Sequence, residues 1–431
     1  MSEKKNILLI GKGGREHALA WAIHRSPLVN QLYIAPGNPG TAQCGTNVVL
    51  PMDDFSVISE FIEEHDIELT VVGPEKPLVD GIVDYLEAKN HPVFGPNKLA
   101  AQLEGSKSFA KNVMQKFNVP TAGFESFGSD EWDKIDSYIK EKNKFPIVIK
   151  ADGLAAGKGV FICKDQNEAD KRLKRMREDP SLRKASQTIV VEEYMEGEEV
   201  SVFAISDGAH VRILSQAQDH KRIGDGDTGL NTGGMGAYGP APVLDEVGLQ
   251  NVYDSIARPV IEGMAKEGMP YKGVLYCGLM ITDEGPKVVE FNCRFGDPEC
   301  QVLMPRLKTD LVQIMLLTES GELDQIEIEQ NDNYYCCVVL ASGGYPGSYE
   351  KGKVIKGLDL VSSDTIVFHS GTAIKADKLV TDGGRVLGIV GSGDTLKDAI
   401  DNTYKELKTI SFDKMYYRRD IGQKGLHHLT D

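Results

Sequence analysis

The sequence lacks long hydrophobic runs and lacks an excess of positive charge. No uninterrupted apolar run approaches the ~18 residues of a membrane-spanning helix, and the first residues lead directly into a predicted strand without a signal peptide. The chain carries 48 Lys and Arg against 64 Asp and Glu, a formal net charge of −16. General affinity for nucleic acid needs a basic footprint, which this balance excludes. We therefore expect a cytoplasmic protein with no membrane and no nucleic-acid partner, although local sites for phosphorylated small molecules remain allowed.

Cysteine is sparse and unpatterned. The seven cysteines are odd in number, and none of their spacings resembles a zinc site. The adjacent pair Cys336-Cys337 lies within an apolar run. We therefore expect reduced thiols, as in the cytosol, and neither a disulfide framework nor a zinc site. The sequence also has no internal repeat and no low-complexity linker.

Short apolar runs alternate with helical patterns over the first hundred residues. This alternation favours a parallel sheet that is covered on both faces. A chain of 431 residues is too long for one core, and ~100–200 residues per domain predicts about two to four domains. The predicted strands and helices of the first region are Asn6–Ile10, Arg15–Arg25, Leu32–Ala35, Leu69–Val72, Pro77–Lys89 and Pro92–Phe94.

Gly11 to Gly14 form a glycine-rich turn between the first strand and the first helix. The spacing is like a dinucleotide-binding fingerprint, but Glu16 replaces the third glycine and should hinder close packing of helix and strand. This argues against a NAD site. The helix N-terminus still offers backbone N–H groups to an anion, and a single phosphate monoester fits better than a pyrophosphate.

A second glycine-rich loop runs from Asp152 to Gly159 and carries one cation, Lys158. It is not a P-loop, because Asp152 takes the place of its first glycine and Gly159 that of its Mg²⁺-binding Ser or Thr. Strands predicted at Phe145–Lys150 and Val160–Cys163 bracket the loop, so we expect a hairpin flap or, alternatively, a plain glycine hairpin. Ordering a flap costs about 1–2 kcal/mol per residue, and hydrogen bonds to phosphate return about 1.5–3 kcal/mol each. Closure should therefore need bound nucleotide.

Three polar side chains, Glu290, Asn292 and Arg294, stand at alternate positions near the end of a predicted strand. The strand is the second arm of a hairpin formed by Val274–Thr282 and Lys287–Asn292. Because strand side chains alternate, Glu290 and Asn292 should project from one face. Hard oxygen ligands of this kind suit Mg²⁺ bridging nucleotide phosphates, and Arg294 could pair with an anionic substrate group. The alternative is a strand end with a surface salt bridge.

The chain carries, in this order, a strand, the flap loop, a second strand, an acidic hinge at Glu192–Met195 and the hairpin that ends in Glu290 and Asn292. This order resembles the ATP-grasp fold. Longer motifs resemble the phosphoribosylamine–glycine ligase (glycinamide ribonucleotide synthetase) family and cover essentially the whole chain. One departure is Leu230, which stands where the family has proline and so removes a fixed φ but no chemical group. The motifs are Gly11–Trp21, Ala35–Asn38, Val72–Glu75, Ile149–Val160, Ser215–Arg222, Asn231–Ala237, Glu290–Glu299 and Ala341–Gly347.

The resemblance implies an α/β and α+β multidomain fold. Residues 1–104 would form a doubly wound parallel-sheet domain for phosphoribosylamine, 105–325 an ATP-grasp domain with a flap subdomain at about 120–194, and 326–431 a small C-terminal α/β domain. It also implies a two-step reaction in purine biosynthesis. ATP phosphorylates the carboxylate of glycine, and the amine of 5-phosphoribosylamine then attacks the glycyl phosphate. The products are glycinamide ribonucleotide, ADP and phosphate.

The resemblance further implies which residues contact each substrate. The metal ligands, for Mg²⁺ or Mn²⁺, would be Glu290 and Asn292. The catalytic residues would be Arg294, Lys150 and Asp219. The residues for phosphoribosylamine would be Gly13, Gly14, Arg15, Asn38 and Glu75. The residues for ATP would be Lys107, Lys150, Gly153, Gly157, Lys158, Gly159, Glu192, Glu193, Tyr194, Met195 and Glu199.

No nucleophilic side chain is expected. Phosphoryl transfer needs positioning and charge neutralisation more than covalent chemistry by the protein. His17 and His220 are candidate bases, but an amine that attacks an acyl phosphate needs little proton abstraction at the start. We favour structural or orienting roles for both histidines, and a packed thiol for Cys293.

Three other functions remain open from the sequence. They are another ATP-grasp ligase with a different carboxylate or amine substrate, a non-catalytic nucleotide-binding regulator, and a NAD-dependent oxidoreductase. Intact Glu290, Asn292, Lys150 and Lys158 argue against the regulator, and Glu16 argues against the oxidoreductase. For the oligomeric state, we expect a monomer or a weak homo-oligomer.

Overall fold

The computed structural model describes residues 4–155 and 159–429. Its N-terminal part is a five-stranded sheet in the order β3-β2-β1-β4-β5, with every neighbouring pair parallel. This confirms the parallel sheet predicted from strand–helix alternation. The elements of this part are β1 Lys5–Gly11, α1 Gly14–His24, β2 Val29–Pro36, β3 Thr46–Asn47, α2 Phe55–Glu64, β4 Ile67–Val72, α3 Glu75–Asp80, α4 Ile82–Glu87 and β5 Val93–Phe94.

Both faces of the parallel sheet are buried, but in different cores. Alternate residues of a strand point to opposite faces, and in β1 Leu8 and Ile10 pack in the core that contains Ile58 of α2. Ile7 and Leu9 pack on the other side in the core that contains Leu19 of α1. This two-sided burial explains the near-continuous apolar run of β1.

The flap subdomain is a four-stranded antiparallel sheet in the order β6-β9-β7-β8. Strands β7 and β8 form the predicted hairpin, and residues 156–158 lie outside the described part of the chain. The elements are α5 Gln102–Gly105, α6 Lys107–Lys116, β6 Phe124–Gly128, α7 Trp132–Lys142, β7 Ile147–Ala151, β8 Val160–Cys163, α8 Gln166–Glu178, α9 Pro180–Arg183 and β9 Thr188–Glu193.

A nine-stranded sheet forms the remainder of the core. Its main path is β16-β15-β10-β11-β14-β17-β21-β18, and β22 pairs with β17. Strand β14 joins the central strands to those near the C-terminus, because it pairs with both β11 and β17. Strands β12 and β13 form a separate two-stranded sheet, and so do β19 and β20. The elements of this part of the chain are β10 Glu198–Asp207, β11 Val211–Asp219, β12 Arg222–Gly224, β13 Thr228–Asn231, β14 Gly236–Gly239, α10 Glu246–Val252, α11 Arg258–Lys266, β15 Lys272–Thr282, β16 Gly285–Asn292, α12 Cys300–Arg306, α13 Leu311–Ser320, β17 Tyr334–Ser342, β18 Ile366–His369, β19 Thr372–Lys375, β20 Lys378–Thr381, β21 Arg385–Gly393, α14 Leu396–Glu406, β22 Met415–Tyr416 and α15 Gln423–His427.

Some predicted elements differ from those observed. The helix predicted at Pro77–Lys89 is divided into α3 and α4, because Gly81 between them has a φ of +99°. Helix α2 was not predicted, although Asp54 caps it by accepting the Ser56 N–H at 3.1 Å. The predicted domain boundaries at residues 104/105 and 325/326 stay a prediction. None of the helices in the described part of the chain is long and apolar enough to span a membrane.

Candidate active site

The carboxyl ends of β1 and β4 meet where the strand order of the parallel sheet changes direction, the usual position of a ligand crevice. Glu16 fills part of this crevice. A Cβ atom on Gly11 would lie 2.2 Å from Glu16 Cγ, and one on Gly73 would lie 2.6 Å from the same atom. Sequence analysis expected Glu16 to hinder the packing of α1 against the sheet. Gly11 and Gly73 leave room for the Glu16 side chain, and Leu19 of α1 packs in one core with Ile7 and Leu9 of β1.

The Glu16 carboxylate also accepts hydrogen bonds from two groups that were predicted to bind a phosphate. Its Oε2 accepts the Gly13 N–H at 2.5 Å, and its Oε1 accepts the Arg15 Nε–H at 2.6 Å. Arg15 is buried and donates through Nη1 to the Phe295 carbonyl at 3.0 Å. A phosphate at Gly13, Gly14 and Arg15 stays a prediction, and it would have to use the remaining donors of this turn.

Glu75 connects the N-terminal sheet to the end of β16. Its Oε2 lies 3.3 Å from Arg294 Nε and 3.9 Å from Arg15 Nη2. Burial alone would raise the pKa of Glu75, but Arg294 and Arg15 lower it below its ordinary value. Arg15, Glu75 and Arg294, predicted from distant motifs, thus lie together, and Glu75 is an anion that remains partly exposed.

Glu104 fixes Arg294 and was not predicted as a site residue. Its Oε1 accepts Arg294 Nη2–H at 2.8 Å, and its Oε2 accepts the Cys293 backbone N–H at 2.8 Å. The Cys293 thiol is buried and also contacts Glu104 Oε2 at 3.1 Å, so it is the packed thiol that we expected. Glu104 thereby holds both the backbone after Asn292 and the guanidinium that follows.

Asn38 lies beside the same crevice, but its side chain is already fully hydrogen-bonded. Its Nδ2 donates to the carbonyls of Lys12 at 2.8 Å and His369 at 2.9 Å. Its Oδ1 accepts the N–H groups of Gly40 and Thr41. An amide has two donors and one acceptor oxygen with two lone pairs, so all of these groups of Asn38 have protein partners that order the loops around the crevice, and its contact with phosphoribosylamine stays a prediction.

Lys107 begins α6, directly beside the base of the flap. Ser106 caps this helix by accepting the Phe109 N–H at 3.1 Å, and Asp152 accepts the Ser108 N–H at 2.6 Å. Lys107 Nζ lies 3.5 Å from the carbonyls of Asp152 and Gly153. Burial lowers the pKa of Lys107, and the nearby Glu290 carboxylate opposes this shift. Lys107 is therefore close to both the flap and the predicted metal ligand.

The glycines of the flap have structural partners where they are described. The Gly153 N–H donates to the Ala185 carbonyl at 3.0 Å, and the Gly159 carbonyl accepts the Ala151 N–H at 2.8 Å. Gly157 and Lys158, predicted to contact ATP, lie outside the described residues. Their assignment stays a prediction.

Lys150 is the last residue but one of β7 and is buried between two acceptors. Its Nζ lies 2.8 Å from Glu192 Oε1 and donates to the Val289 carbonyl at 3.0 Å. The other carboxylate oxygen of Glu192, Oε2, lies 2.9 Å from Lys111 Nζ. Sequence analysis placed Glu192 at the adenine and missed Lys111. The only sequence signal for Lys111 is its position one helical turn after Lys107, on the same face of α6.

The hinge predicted to meet adenine begins with a buried residue, Glu192, and continues with the exposed Glu193 and Tyr194. Glu192 is paired with Phe124 on one side and Val148 on the other, so its backbone belongs to the flap sheet. The Glu193 N–H donates to the Gly123 carbonyl at 2.8 Å. Glu193 and Tyr194 are exposed, and Met195 is partly buried. The backbone from the Glu193 carbonyl to Met195 is the part that could face an adenine edge.

Glu290 and Asn292 lie at the end of β16, after a β-bulge at Val289. Glu290, Phe291 and Asn292 pair regularly with Gly278, Cys277 and Tyr276, so the side chains of Glu290 and Asn292 lie on one face, as predicted. Opposite Glu290 is Gly278, where a Cβ atom would lie 3.3 Å from Glu290 Cγ. The strand thus presents a carboxylate and an amide oxygen side by side.

The surrounding charges fit a divalent cation at this strand end. Burial, together with the neighbouring Glu299, Glu199 and Glu290 carboxylates and against the opposing effect of Lys221, raises the pKa of Asp219 to about 7. The Lys221 ammonium, 2.5 Å from Glu199 Oε2, lowers the pKa of Glu199. Four carboxylates therefore lie close together, and of these Glu199 pairs with Lys221. Within residues 4–155 and 159–429, no three His, Cys, Asp or Glu side chains could hold a metal by themselves, so nucleotide oxygens and water would complete its coordination.

Three buried histidines are neutral at pH 7. Burial lowers the pKa of His17 to about 3, with a further contribution from His369, and burial lowers that of His369 itself to about 4. His17 Nδ1 accepts the His369 backbone N–H at 2.8 Å. Burial, then Arg418 and Lys424, lower the pKa of His220 to about 3, and neither of its ring nitrogens has a hydrogen-bond partner among the described residues. These surroundings favour structural over catalytic roles for His17 and His220.

Replacing His220 by leucine should weaken the acid sensitivity of the fold. Below its ordinary pKa of 6.5 a histidine in the unfolded chain takes up a proton, whereas native His220 does so only near pH 3. The contribution of neutral His220 to the free energy of unfolding is therefore fully present above pH 6.5. As the pH falls from 6.5 to 5.5, the free energy of unfolding decreases by about 1 kcal/mol for one such histidine. Urea unfolding at both pH values should show that much less loss in His220→Leu. An unchanged pH dependence would contradict the assignment.

Known proteins match the chain over nearly its whole length. Models of phosphoribosylglycinamide synthetase match in order, the N domain at residues 5–104, the ATP-grasp (A) domain at 105–300 and the C domain at 335–424. A phosphoribosylamine–glycine ligase of Agrobacterium fabrum is 47% identical over 97% of this chain and 98% of its own length. One of Vibrio cholerae is 46% identical over 97% and 98%.

Solved structures agree with these relatives. The phosphoribosylamine–glycine ligase of Thermotoga maritima is 34% identical, with a TM-score of 0.81 over 96% of this chain and 100% of that one. A biotin carboxylase of Campylobacter jejuni is 15% identical, with a TM-score of 0.72 over 99% and 95%, and shares the fold alone. The predicted fold class and the predicted family are thereby confirmed. The chain belongs to the phosphoribosylglycinamide synthetase family, an ATP-grasp family with relatives that are phosphoribosylamine–glycine ligases.

Proposed function

We propose that the protein joins glycine to 5-phosphoribosylamine and converts ATP to ADP and phosphate, giving glycinamide ribonucleotide for purine biosynthesis. The observation that carries this proposal is the position of Arg294. It follows the Glu290–Asn292 strand end, which lies beside Lys107 and Lys150, and it contacts Glu75 of the N-terminal region at 3.3 Å. A carboxylate substrate at Arg294 would have a nucleotide on one side and the parallel-sheet crevice on the other.

The nucleotide would lie along the lysines and the hinge. An ammonium group has three N–H donors; Lys150 donates one to the Val289 carbonyl, and its charge is paired with Glu192 at 2.8 Å. A remaining donor can meet a phosphate oxygen, together with Lys107 and, outside the described residues, Lys158. Glu193, Tyr194 and Met195 would meet adenine, and Glu199 the ribose hydroxyls.

Glu290 and Asn292 are the residues that would hold Mg²⁺ or Mn²⁺. When bound, this cation would neutralise charge on the β- and γ-phosphates of ATP. The excess of carboxylates around Asp219 supports the assignment, because an added positive charge relieves their mutual repulsion.

Arg294 would orient the glycine carboxylate for attack on the γ-phosphate. Its Nε lies 3.3 Å from Glu75 Oε2 in an ion pair but makes no well-aligned hydrogen bond among the described residues, so this donor can turn to an incoming carboxylate. The acyl phosphate formed in this way has to be kept from water, which gives the flap a purpose beyond nucleotide binding.

The amine of phosphoribosylamine would approach from the crevice at Arg15 and Glu75. The ammonium formed on attack must lose a proton before the product leaves. Asp219, predicted as a catalytic residue, would accept it at a carboxylate oxygen. We propose these small molecules as the partners of the protein, which we place in the cytoplasm.

The proposal predicts that ADP release requires glycine and phosphoribosylamine together. A coupled ADP assay with each substrate omitted in turn should give background rates, and formation of glycinamide ribonucleotide should equal ADP release. Equal turnover with formate or bicarbonate in place of glycine would instead favour another ATP-grasp ligase. Nucleotide binding without any turnover would favour a regulator.

A further inference from the structure

Lys111 is a buried lysine that the proposed reaction does not use. It lies in the middle of α6, with only 2% of its side chain exposed, and Glu192 beside it is equally buried. Its Nζ contacts Glu192 Oε2 at 2.9 Å and donates to Thr121 Oγ1 at 2.8 Å. Lysine is almost never fully buried without a partner, and the contacts with Glu192 and Thr121 are what allow Lys111 to be buried.

The contacts of Lys111 form a closed network with those of Lys150. Glu192 binds Lys111 through one carboxylate oxygen and Lys150 through the other. On the far side, Thr121 Oγ1 donates to the Val288 carbonyl at 2.7 Å, and Lys150 donates to the Val289 carbonyl at 3.0 Å. The network therefore joins α6 and the flap sheet to β16, immediately before Glu290.

The two lysines compete for one carboxylate. With Lys111 in place, Glu192 divides its negative charge between two ammonium groups, and Lys150 keeps its second contact with Val289. Without Lys111, the whole charge of a carboxylate in a low-dielectric environment would act on Lys150. The Lys150 ammonium, already 2.8 Å from Glu192 Oε1, would then turn more of its donors to Glu192 and fewer to the phosphates.

We infer that Lys111 is a positioning residue for ATP, which acts through Glu192 to hold the Lys150 ammonium towards the phosphate chain. The inference rests on the proposed nucleotide role of Lys150, and it assigns no contact between Lys111 and any substrate. The effect of Lys111 must accordingly depend on the charge of Glu192.

Lys111→Met, measured alone and together with Glu192→Gln, tests this dependence. In the wild-type background the methionine variant should raise the KM for ATP and the Kd for ADP with Mg²⁺ about tenfold, with the KM for glycine within twofold. In the Glu192→Gln background the same substitution should change both values less than twofold, because the carboxylate that attracts the Lys150 donors is gone. Lys116→Met, an exposed position of the same helix, is the control and should change neither value.

An unchanged ATP KM in Lys111→Met would overturn the inference, and so would an equal loss in both backgrounds, which marks a purely structural role. Lys111→Gln, which keeps a hydrogen-bond donor but not the charge, replaces the methionine variant if that does not fold. Titration with ADP and Mg²⁺ does not require turnover. It therefore decides the role of Lys111 even if the wild-type protein fails to form glycinamide ribonucleotide, a result that would refute the proposed function instead.

Discussion

Replacing Glu290 by glutamine should lower kcat by a factor of about 10²–10³, the scale for loss of one electrostatic stabiliser in an active site. The substitution keeps the size of the side chain but removes the carboxylate that we assign to the divalent cation. The affinity for Mg²⁺ should fall with kcat, whereas the KM for glycine should change little, because Arg294 is untouched. Steady-state rates at several Mg²⁺ concentrations measure both effects.

Glu284→Gln is the matched control for this variant. Glu284 lies in the turn of the same hairpin, and its side chain is 78% exposed beside Lys287. An exposed pair of this kind contributes about 0–1 kcal/mol, so the control should keep wild-type activity. Full activity of Glu290→Gln at every Mg²⁺ concentration would break the metal assignment.

Replacing Glu104 by alanine should destabilise the protein by about 3 kcal/mol, near the lower limit for removal of one partner of a buried ion pair. The change leaves Arg294 without its 2.8 Å partner and the buried Cys293 N–H without an acceptor. Glu75 still faces Arg294 at 3.3 Å, which keeps the expected loss from being larger. Thermal unfolding should show a clearly lower melting temperature.

Glu267→Ala provides the comparison for the Glu104 variant. Glu267 pairs with Lys116 at the surface, where removal of one partner should cost no more than about 1 kcal/mol. Equal melting temperatures for the Glu104 and Glu267 variants would mean that Glu104 does not secure the strand end. Kinetics of the folded Glu104→Ala fraction should also show a higher KM for glycine, because Arg294 loses its orientation.

The sequence predicted those parts of the site that depend on local pattern. Glu290 and Asn292 could be placed on one face because strand periodicity is local, and the flap hairpin follows from two apolar runs around a glycine-rich loop. The parallel sheet was likewise predictable from alternating strands and helices. In each case, neighbours in the sequence carry the signal.

The parts that sequence analysis missed depend on contacts between distant segments. Glu104 meets Cys293 across 189 residues, and no local pattern distinguishes it from a solvated acid. Lys111 resembles any lysine of an amphipathic helix until Glu192 is brought against it. Sequence analysis expected Glu16 to be too large for its turn, because Gly73, which makes room for it, follows another strand, β4. Such roles follow from packing, which a single sequence does not reveal.

The most direct test of the account is a crystal structure of the protein with a non-hydrolysable ATP analogue, Mn²⁺ and glycine, with an anomalous map that locates the manganese. We predict manganese in contact with oxygens of Glu290, Asn292 and the phosphates, and the glycine carboxylate at Arg294. A triphosphate bound elsewhere, with no manganese at the end of β16, would contradict the central claim.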